Sequence, residues 1–423
     1  DTVYNKFPWE DVRSWCPSYF DRLGLPDMQY VIVQNPKLHC FLANNLSTVN
    51  VGVLKDHLIF KVIDHFASLD NQELFNLCFN FREKLMNGKK RPDDPWKRAV
   101  KTVEALLGDE LGKLYIKEYF PSEKCEKCLG MIEEIRTALR ETITELDWMS
   151  QETKEEALRK LEKFDAKIGY PTKWHSIDGL WNNGVFEEDS LIHLSMQWSE
   201  WDWKEQECEK FYTPTDKELW HMSPQVVNAY YSQEVNQIVF PAGILQPPFY
   251  SDCYEESLGG IGAVIAHEMT HGFDDKGRKY NSKGKLTDWW TEKDSKEFDK
   301  RAQVIIDHFA SQSYYGKNIN GELTQGENIA DIGGLKLAVR ALKNHYSEVS
   351  KKVYQRFFTN WAVIWKMIIT EEFAHKLLAL DPHSPCRFRI NAALAHINEF
   401  YETYDVKDGD GMYLEPSKRM KIW

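Results

Sequence analysis

Apolar side chains recur at three- and four-residue steps through most of the first 170 residues, and this period constrains the chain more than any other feature. Side chains at those steps share one face of a helix, whereas a half-buried strand needs strict alternation. The segment from His57 to Met86 carries Ile59, Phe60, Ile63, Phe66, Leu69, Leu74, Leu77 and Phe81. Trp96 to Phe120 carries Val100, Val103, Leu106, Leu107, Leu111 and Leu114. Gln151 to Phe164 carries Ala157, Leu158, Leu161 and Phe164, and Thr153 with Glu156 has the spacing of a capping box at its start. Such stripes are expected to pack as core. No fixed-period repeat is present.

The texture changes near Tyr170-Pro171. Trp174 to Tyr212 is rich in Trp, Gly, Asn and Asp and reads as loops and short strands. A domain boundary is expected there, with a helical domain over 1–170 and a second domain over 171–423. Val226 to Phe240 reads as strand, turn, strand, although the turn at Ser232-Gln233-Glu234 lacks Gly. Helices are expected from Gly259 to a stop at Gly272, from Gly326 to Asn344 and from Val353 to Leu380. The fold class is therefore mainly α with a smaller β part.

Composition excludes several classes of function. The chain has 423 residues, 42% of them hydrophobic, which suffices for large cores. A formal net charge of -12 and the lack of a dense Lys/Arg stripe argue against nucleic acid as a partner. No run approaches the ~20 apolar residues of a membrane helix. The chain opens Asp1-Thr2-Val3-Tyr4, with no basic and apolar leader; an anchor could still lie in a missing N-terminal region. Eight scattered cysteines leave the compartment open. Cys125 and Cys128 have metal-pair spacing, but no second pair follows, so a helix-surface or disulfide role is expected.

The chemistry is carried by His267-Glu268-Met269-Thr270-His271. Positions i and i+4 lie on one helix face, so both imidazoles can bind one zinc ion while Glu268 reaches a water beside it. A chance match in a chain of this length has a probability on the order of one percent. Zinc wants a third protein ligand, and Glu327 in Gly326-Glu327-Asn328-Ile329-Ala330-Asp331 is the best candidate. Asp331 stands one helical turn later, where it could accept the free N–H of a ligating histidine. An acidic i,i+4 pair is more often solvated surface, but Asn328, Ile329, Ala330, Gly333 and Gly334 suit tight packing instead.

At this point a resemblance becomes specific. The sequence resembles the neprilysin-like zinc endopeptidases, which include endothelin-converting enzymes and bacterial oligoendopeptidases of the O type. It rests on Val227-Asn228-Ala229-Tyr230-Tyr231, on Phe240 through Phe249, on Gly259 through Asp275, and on Asp288-Trp289-Trp290. Gly326 through Leu335, His383-Ser384-Pro385 and Phe388-Arg389 complete it. The resemblance implies a thermolysin-like catalytic domain holding one zinc per chain through His267, His271 and Glu327. It implies Glu268 as general base, Asp331 as the residue orienting a histidine, and His383 as the stabiliser of the transition state. Asn228 and Ala229 match the strand edge that pairs with a substrate backbone, and Arg389 the arginine that binds a substrate carbonyl. Ile244, Phe249, Val264 and Trp365 match the apolar pocket for the residue after the cut; by themselves they read as core.

The implied activity is hydrolysis of internal peptide bonds of oligopeptides by a zinc-activated water. A peptide-binding relative without catalysis is the alternative, and no named catalytic position is substituted. Family members of animal cell surfaces usually end in Cys-x-x-Trp, and the family as a whole has a longer N-terminal region. This chain ends Met420-Lys421-Ile422-Trp423, with Val304, Lys366 and Asp405 at usual cysteine positions, as in the bacterial-type members. The compartment is left undecided.

Overall fold

A computed structural model describes residues 6–15, 17–33, 35–69, 71–175, 177, 180 and 190–423. By packing, the chain forms two compact units. The first comprises Asp1–Leu85, Lys90–Arg98 and Trp174–Glu218; the second comprises Met86–Lys89, Ala99–Lys173 and Leu219–Trp423. Residues 99–170, expected to belong with the helical domain, pack among the residues of the second unit.

In the first unit a short antiparallel pair, Lys6–Pro8 with Tyr30–Ile32, borders a small core of Trp9, Val12 and Val33. The apolar stripe expected over His57 to Met86 is broken into helices Val51–Phe66 and Gln72–Cys78, followed by a wider helical turn, Phe79–Leu85. Asn50 and Asn71 cap the two helices with their side chains. The stripe is not core: Phe60 is 62% exposed and Phe81 60%. The expectation failed because periodicity reports an apolar face but not what covers it. The segment Trp174 to Tyr212 also departs from expectation, within the residues described. Leu191–Asp202 is a helix, capped by Ser190 Oγ on the His193 N–H at 3.2 Å. Its twelve residues contain no Gly or Pro, so the breakers that suggested loops lie outside it.

The second unit holds one large core. The helices Ser122–Glu145 and Gln151–Glu162 enter it through Ile132, Ile135, Leu139, Ala157 and Leu161, all fully buried. The cap of Gln151–Glu162 is Ser150, whose Oγ faces the Thr153 N–H, and not the expected Thr153 box. Cys125 and Cys128 are free thiols on Ser122–Glu145; Cys128 is buried in the core, and burial pushes its pKa up to about 12. That overturns the expected surface or disulfide role for Cys128.

A three-stranded sheet has Gln237–Pro241 at its centre. Asp165–Gly169 runs parallel to that strand, and Tyr230–Ser232 antiparallel. The parallel strand was not foreseen, because five residues after a helix give no alternation to read. The hairpin was. Its turn closes without Gly because Asn236 takes a left-handed φ of 58°.

Two helices form the floor of the unit. Ala263–His271 continues a helical run that begins at Tyr254, earlier than expected, through a wide turn at Leu258–Gly262. It lies against Gly321–His345, which starts at an Asn320 cap. A Cβ on Gly334 would lie 2.7 Å from the backbone N of His267, so this contact is backbone against backbone. The helix expected over Val353 to Leu380 is two, Lys351–Ile364 and Glu371–Leu380. Ile368, Ile369 and Thr370 are β-branched, and Thr370 starts the second helix by accepting from the Phe373 N–H at 3.3 Å.

Candidate metal centre

His267 and His271 project from the end of Ala263–His271, one turn apart. Glu327 projects from Gly321–His345 toward them. Its Oε2 lies 3.2 Å from His267 Nε2 and 3.4 Å from His271 Nε2, and the two Nε2 atoms are 2.9 Å apart. Each imidazole has a carboxylate behind it. His267 Nδ1 lies 2.8 Å from Asp331 Oδ1, and His271 Nδ1 lies 2.7 Å from Asp274 Oδ2. Asp274 takes the ring proton of His271 at Nδ1, and the Asp331 charge beside His267 Nδ1 favours a proton there too, which turns both Nε2 lone pairs inward.

Glu327 Oε2 is buried and makes no hydrogen bond. Two nitrogen lone pairs and an orphaned carboxylate oxygen, all within 4.8 Å of one another, form the donor set of a cation. Two imidazoles and one carboxylate suit zinc. Burial pushes the Glu327 carboxyl up, but the two imidazoles outweigh it and hold the group well below the usual carboxylate range. For Asp331 too, burial is outweighed, here by Arg389 and His267, and its pKa falls to about 2. Glu268 is buried beside the cluster, and burial raises its pKa while the histidines pull the other way.

A cleft of about 560 Å³ opens over these groups. Of the residues singled out from sequence, all but Asp331 line it; Asp331 sits behind His267. Ile244, Phe249, Val264 and Trp365 form an apolar wall. Arg389 is clamped by Asp331 through Nε at 2.8 Å and Nη2 at 2.7 Å, and its guanidinium lies 3.7 Å from the centre of a Trp365 ring. His383 points its Nε2 at Glu327 Oε2 at 3.2 Å, with Nδ1 held by Asp381 at 2.8 Å. Asn228 and Ala229 stand just before the edge strand Tyr230–Ser232; the Ala229 N–H donates to Asn228 Oδ1 at 3.0 Å.

Sequence reasoning missed Asp274 and Asp381. Both had a signal: an acid three residues past a ligand histidine, and an Asp two residues before His383, whose N–H it accepts at 2.8 Å.

The helical scaffold, its small sheet and a largely buried His-His-Glu cluster make a candidate metal site. The chain belongs to peptidase family M13, the neprilysin-like family: its sequence patterns match residues 228–420 and, for the N-terminal part, residues 1–171. Endothelin-converting enzyme 1 of Homo sapiens is 31% identical over 446 residues, covering 100% of this chain and 58% of that protein. A neutral endopeptidase of Lactococcus lactis is 34% identical over 397 residues, covering 93% of this chain and 62% of that one. The chain thus spans about 60% of the length of these curated relatives. A crystal structure of a Mycobacterium tuberculosis zinc metalloprotease in complex with an inhibitor superposes with a TM-score of 0.90 at 34% identity, over 99% of this chain and 66% of that one. PepO of Lactobacillus rhamnosis gives 0.89 at 28% identity, over 100% of this chain and 67% of that one. Among the described residues no helix is long and apolar enough to cross a membrane.

Proposed function

We propose that this chain is the catalytic part of a zinc metalloendopeptidase that hydrolyses internal peptide bonds of oligopeptides and prefers a hydrophobic residue after the cut. The observation that carries this reading is the convergence of His267, His271 and Glu327 at the floor of a cleft that Glu268 also lines. These three residues would hold one zinc ion. When bound, zinc supplies a Lewis acid that activates water and polarises a carbonyl.

Glu268 follows the first ligand on the same helix and is buried against the cluster, so its carboxylate takes the proton of the attacking water and hands it to the leaving amine. His383, held by Asp381, donates from Nε2 to the carbonyl oxygen as charge develops there. Asp331 and Asp274 keep the two imidazoles in the tautomer that a cation needs. Arg389 spends Nε and Nη2 on Asp331, which leaves Nη1 for a substrate carbonyl. Val264 stands one turn before His267 and Glu268, so the wall it forms with Ile244, Phe249 and Trp365 is where the side chain after the cut would lodge. The backbone at Asn228-Ala229, next to the edge strand, would pair with the peptide.

Glu268→Gln tests the reading. The variant should retain zinc and lose nearly all cleavage of a quenched peptide whose N-terminus is blocked. Cleavage at near wild-type rate would remove Glu268 from the chemistry, and retained peptide binding by a wild type that cuts nothing would favour a non-catalytic relative.

A further inference from the structure

Lys160 is fully buried, on the same face of Gln151–Glu162 as Ala157 and Leu161. Its Nζ donates to three backbone carbonyls: Gly272 at 2.6 Å, Gly277 at 2.7 Å and Tyr280 at 2.7 Å. An ammonium has three donors and no acceptor, so all its protons are used. The rings of Phe273, Tyr231 and Trp289 surround it with centres at 5.5, 5.8 and 5.9 Å. Burial outweighs the charge of Asp274 and lowers its pKa to about 7. The three carbonyls can only accept, and they demand the protonated form.

All three carbonyls belong to the turn that follows His271. Gly272 is the C-cap of Ala263–His271, where carbonyls lack intrahelical partners and a positive charge is favoured. Asp274 lies inside the turn. One of its oxygens faces His271 Nδ1 at 2.7 Å, and the other accepts the N–H groups of Lys276 and Gly277 at 2.9 and 2.7 Å. The turn doubles back so closely that a Cβ on Gly277 would lie 1.7 Å from the His271 carbonyl oxygen. Lys160 therefore ties together the start, middle and end of the segment that carries the partner of a candidate ligand.

We propose that Lys160 is a positioning residue for the metal centre: by gathering the carbonyls of Gly272, Gly277 and Tyr280 it holds Asp274 on His271 and so aims that imidazole at the cation. The proposal rests on the zinc reading given above. Without the ammonium the Gly272 carbonyl loses this donor, the Gly277 and Tyr280 carbonyls keep only the Tyr280 N–H at 3.0 Å and the Trp289 Nε1–H at 3.1 Å, and the turn loses its tie to Gln151–Glu162, which loosens the hold of Asp274 on the His271 ring. Zinc affinity should suffer; the peptide-binding wall, built elsewhere, should not.

The test measures zinc affinity of the full chain by competition with a chromophoric chelator, for wild type, Lys160→Met, Asp274→Asn and the double variant. Lys160→Met keeps the length and removes the donors. It should bind zinc about 10- to 100-fold more weakly, the range expected for loss of a partner behind a ligand. The double variant should be no weaker than the weaker single variant, because both act through one imidazole. Cobalt(II) loaded in place of zinc should show an altered visible spectrum, and at saturating zinc KM for a peptide should stay within about twofold. A folded Lys160→Met chain with wild-type zinc affinity overturns the proposal. So do effects that add in the double variant, since a merely structural role would lower stability independently of Asp274. Should Lys160→Met fail to fold, Lys160→Gln, which keeps two donors on a shorter stem, replaces it; it should bind zinc with intermediate affinity, and affinity equal to wild type overturns the proposal. A wild-type chain that takes up no zinc overturns the metal reading as well, whereas a zinc-binding wild type matched by its Lys160 variants overturns this inference alone.

Discussion

Arg389 grips both oxygens of Asp331, through Nε at 2.8 Å and Nη2 at 2.7 Å, and both side chains are buried. Asp331 Oδ1 is also the atom that His267 Nδ1 faces. The arginine on the cleft wall is thereby tied to a candidate ligand through one carboxylate. Removing one partner of a buried pair leaves an uncompensated charge, which costs about 3–5 kcal/mol. Arg389→Met should lose about that much stability in urea denaturation, and Asp331→Leu added to it should recover part of the loss, since His267 Nδ1 then loses its carboxylate. An Arg389→Met chain as stable as wild type would show that His267 alone compensates the Asp331 charge.

Metal uptake should be readable as stability. A ligand that binds only the folded state adds about 2.7 kcal/mol at one hundred times its Kd. The wild type should melt at higher temperature with zinc than with a chelator. Glu327→Gln exchanges a charged oxygen for an amide and should lose that difference, with little change in the chelated protein. An equal zinc-dependent rise in both would take Glu327 out of the donor set.

Gly334 marks the tightest approach of the two floor helices. A Cβ there would lie 2.7 Å from His267 N and 2.9 Å from Ala263 O, both backbone atoms that cannot swing aside. Gly334→Ala should push the helices apart, at a cost of about 1–3 kcal/mol typical of overpacking. Because Glu327 rides on one helix and the histidines on the other, zinc affinity should fall with it. A variant with unchanged melting and zinc binding would mean that the contact has slack.

Away from the centre, His308 and His396 form a neutral pair. The Met420 N–H donates to His396 Nδ1 at 2.9 Å, so His396 carries its proton on Nε2 and gives it to His308 Nδ1 at 2.8 Å. Burial lowers His308 to about 4. Burial, His308, Lys336 and Arg419 hold His396 well below the usual histidine range. A histidine whose folded pKa is depressed binds fewer protons than it does unfolded, between the two pKa values. Stability should therefore be intact above about pH 6.5 and fall as pH drops toward 4, by on the order of 3 kcal/mol for His308 alone. Denaturation of the chelated protein across that range, compared with His308→Phe, checks it. A wild-type slope no steeper than the variant's would contradict the assignment.

Much of the site was legible because its geometry is helical. His267 and His271 are placed by a four-residue spacing, and Glu327 with Asp331 by another, so local sequence carries the arrangement. The packing of Gly334 on the first helix was also foreshadowed by the small residues around Asp331. What escaped was non-local or capped from outside. Lys160 stands in the apolar register of Ala157, Leu161 and Phe164, yet its partners lie more than a hundred residues away in sequence. The strand Asp165–Gly169 acquires its identity from Gln237–Pro241, with which it pairs. The stripe over Ile59, Phe60 and Ile63 was visible and still misread, since spacing defines a face without naming its neighbour.

The touching backbones of Ala263–His271 and Gly321–His345 separate two kinds of change. The donor atoms take their spacing from helices that hold each other rigidly, while Ile244 and Phe249 come from the loop that follows the central strand. On the proposed reading, substitutions in that loop would retune selectivity and leave the spacing of the three donor atoms as it is, and a graft of the loop from a relative should transfer preference without re-engineering the centre.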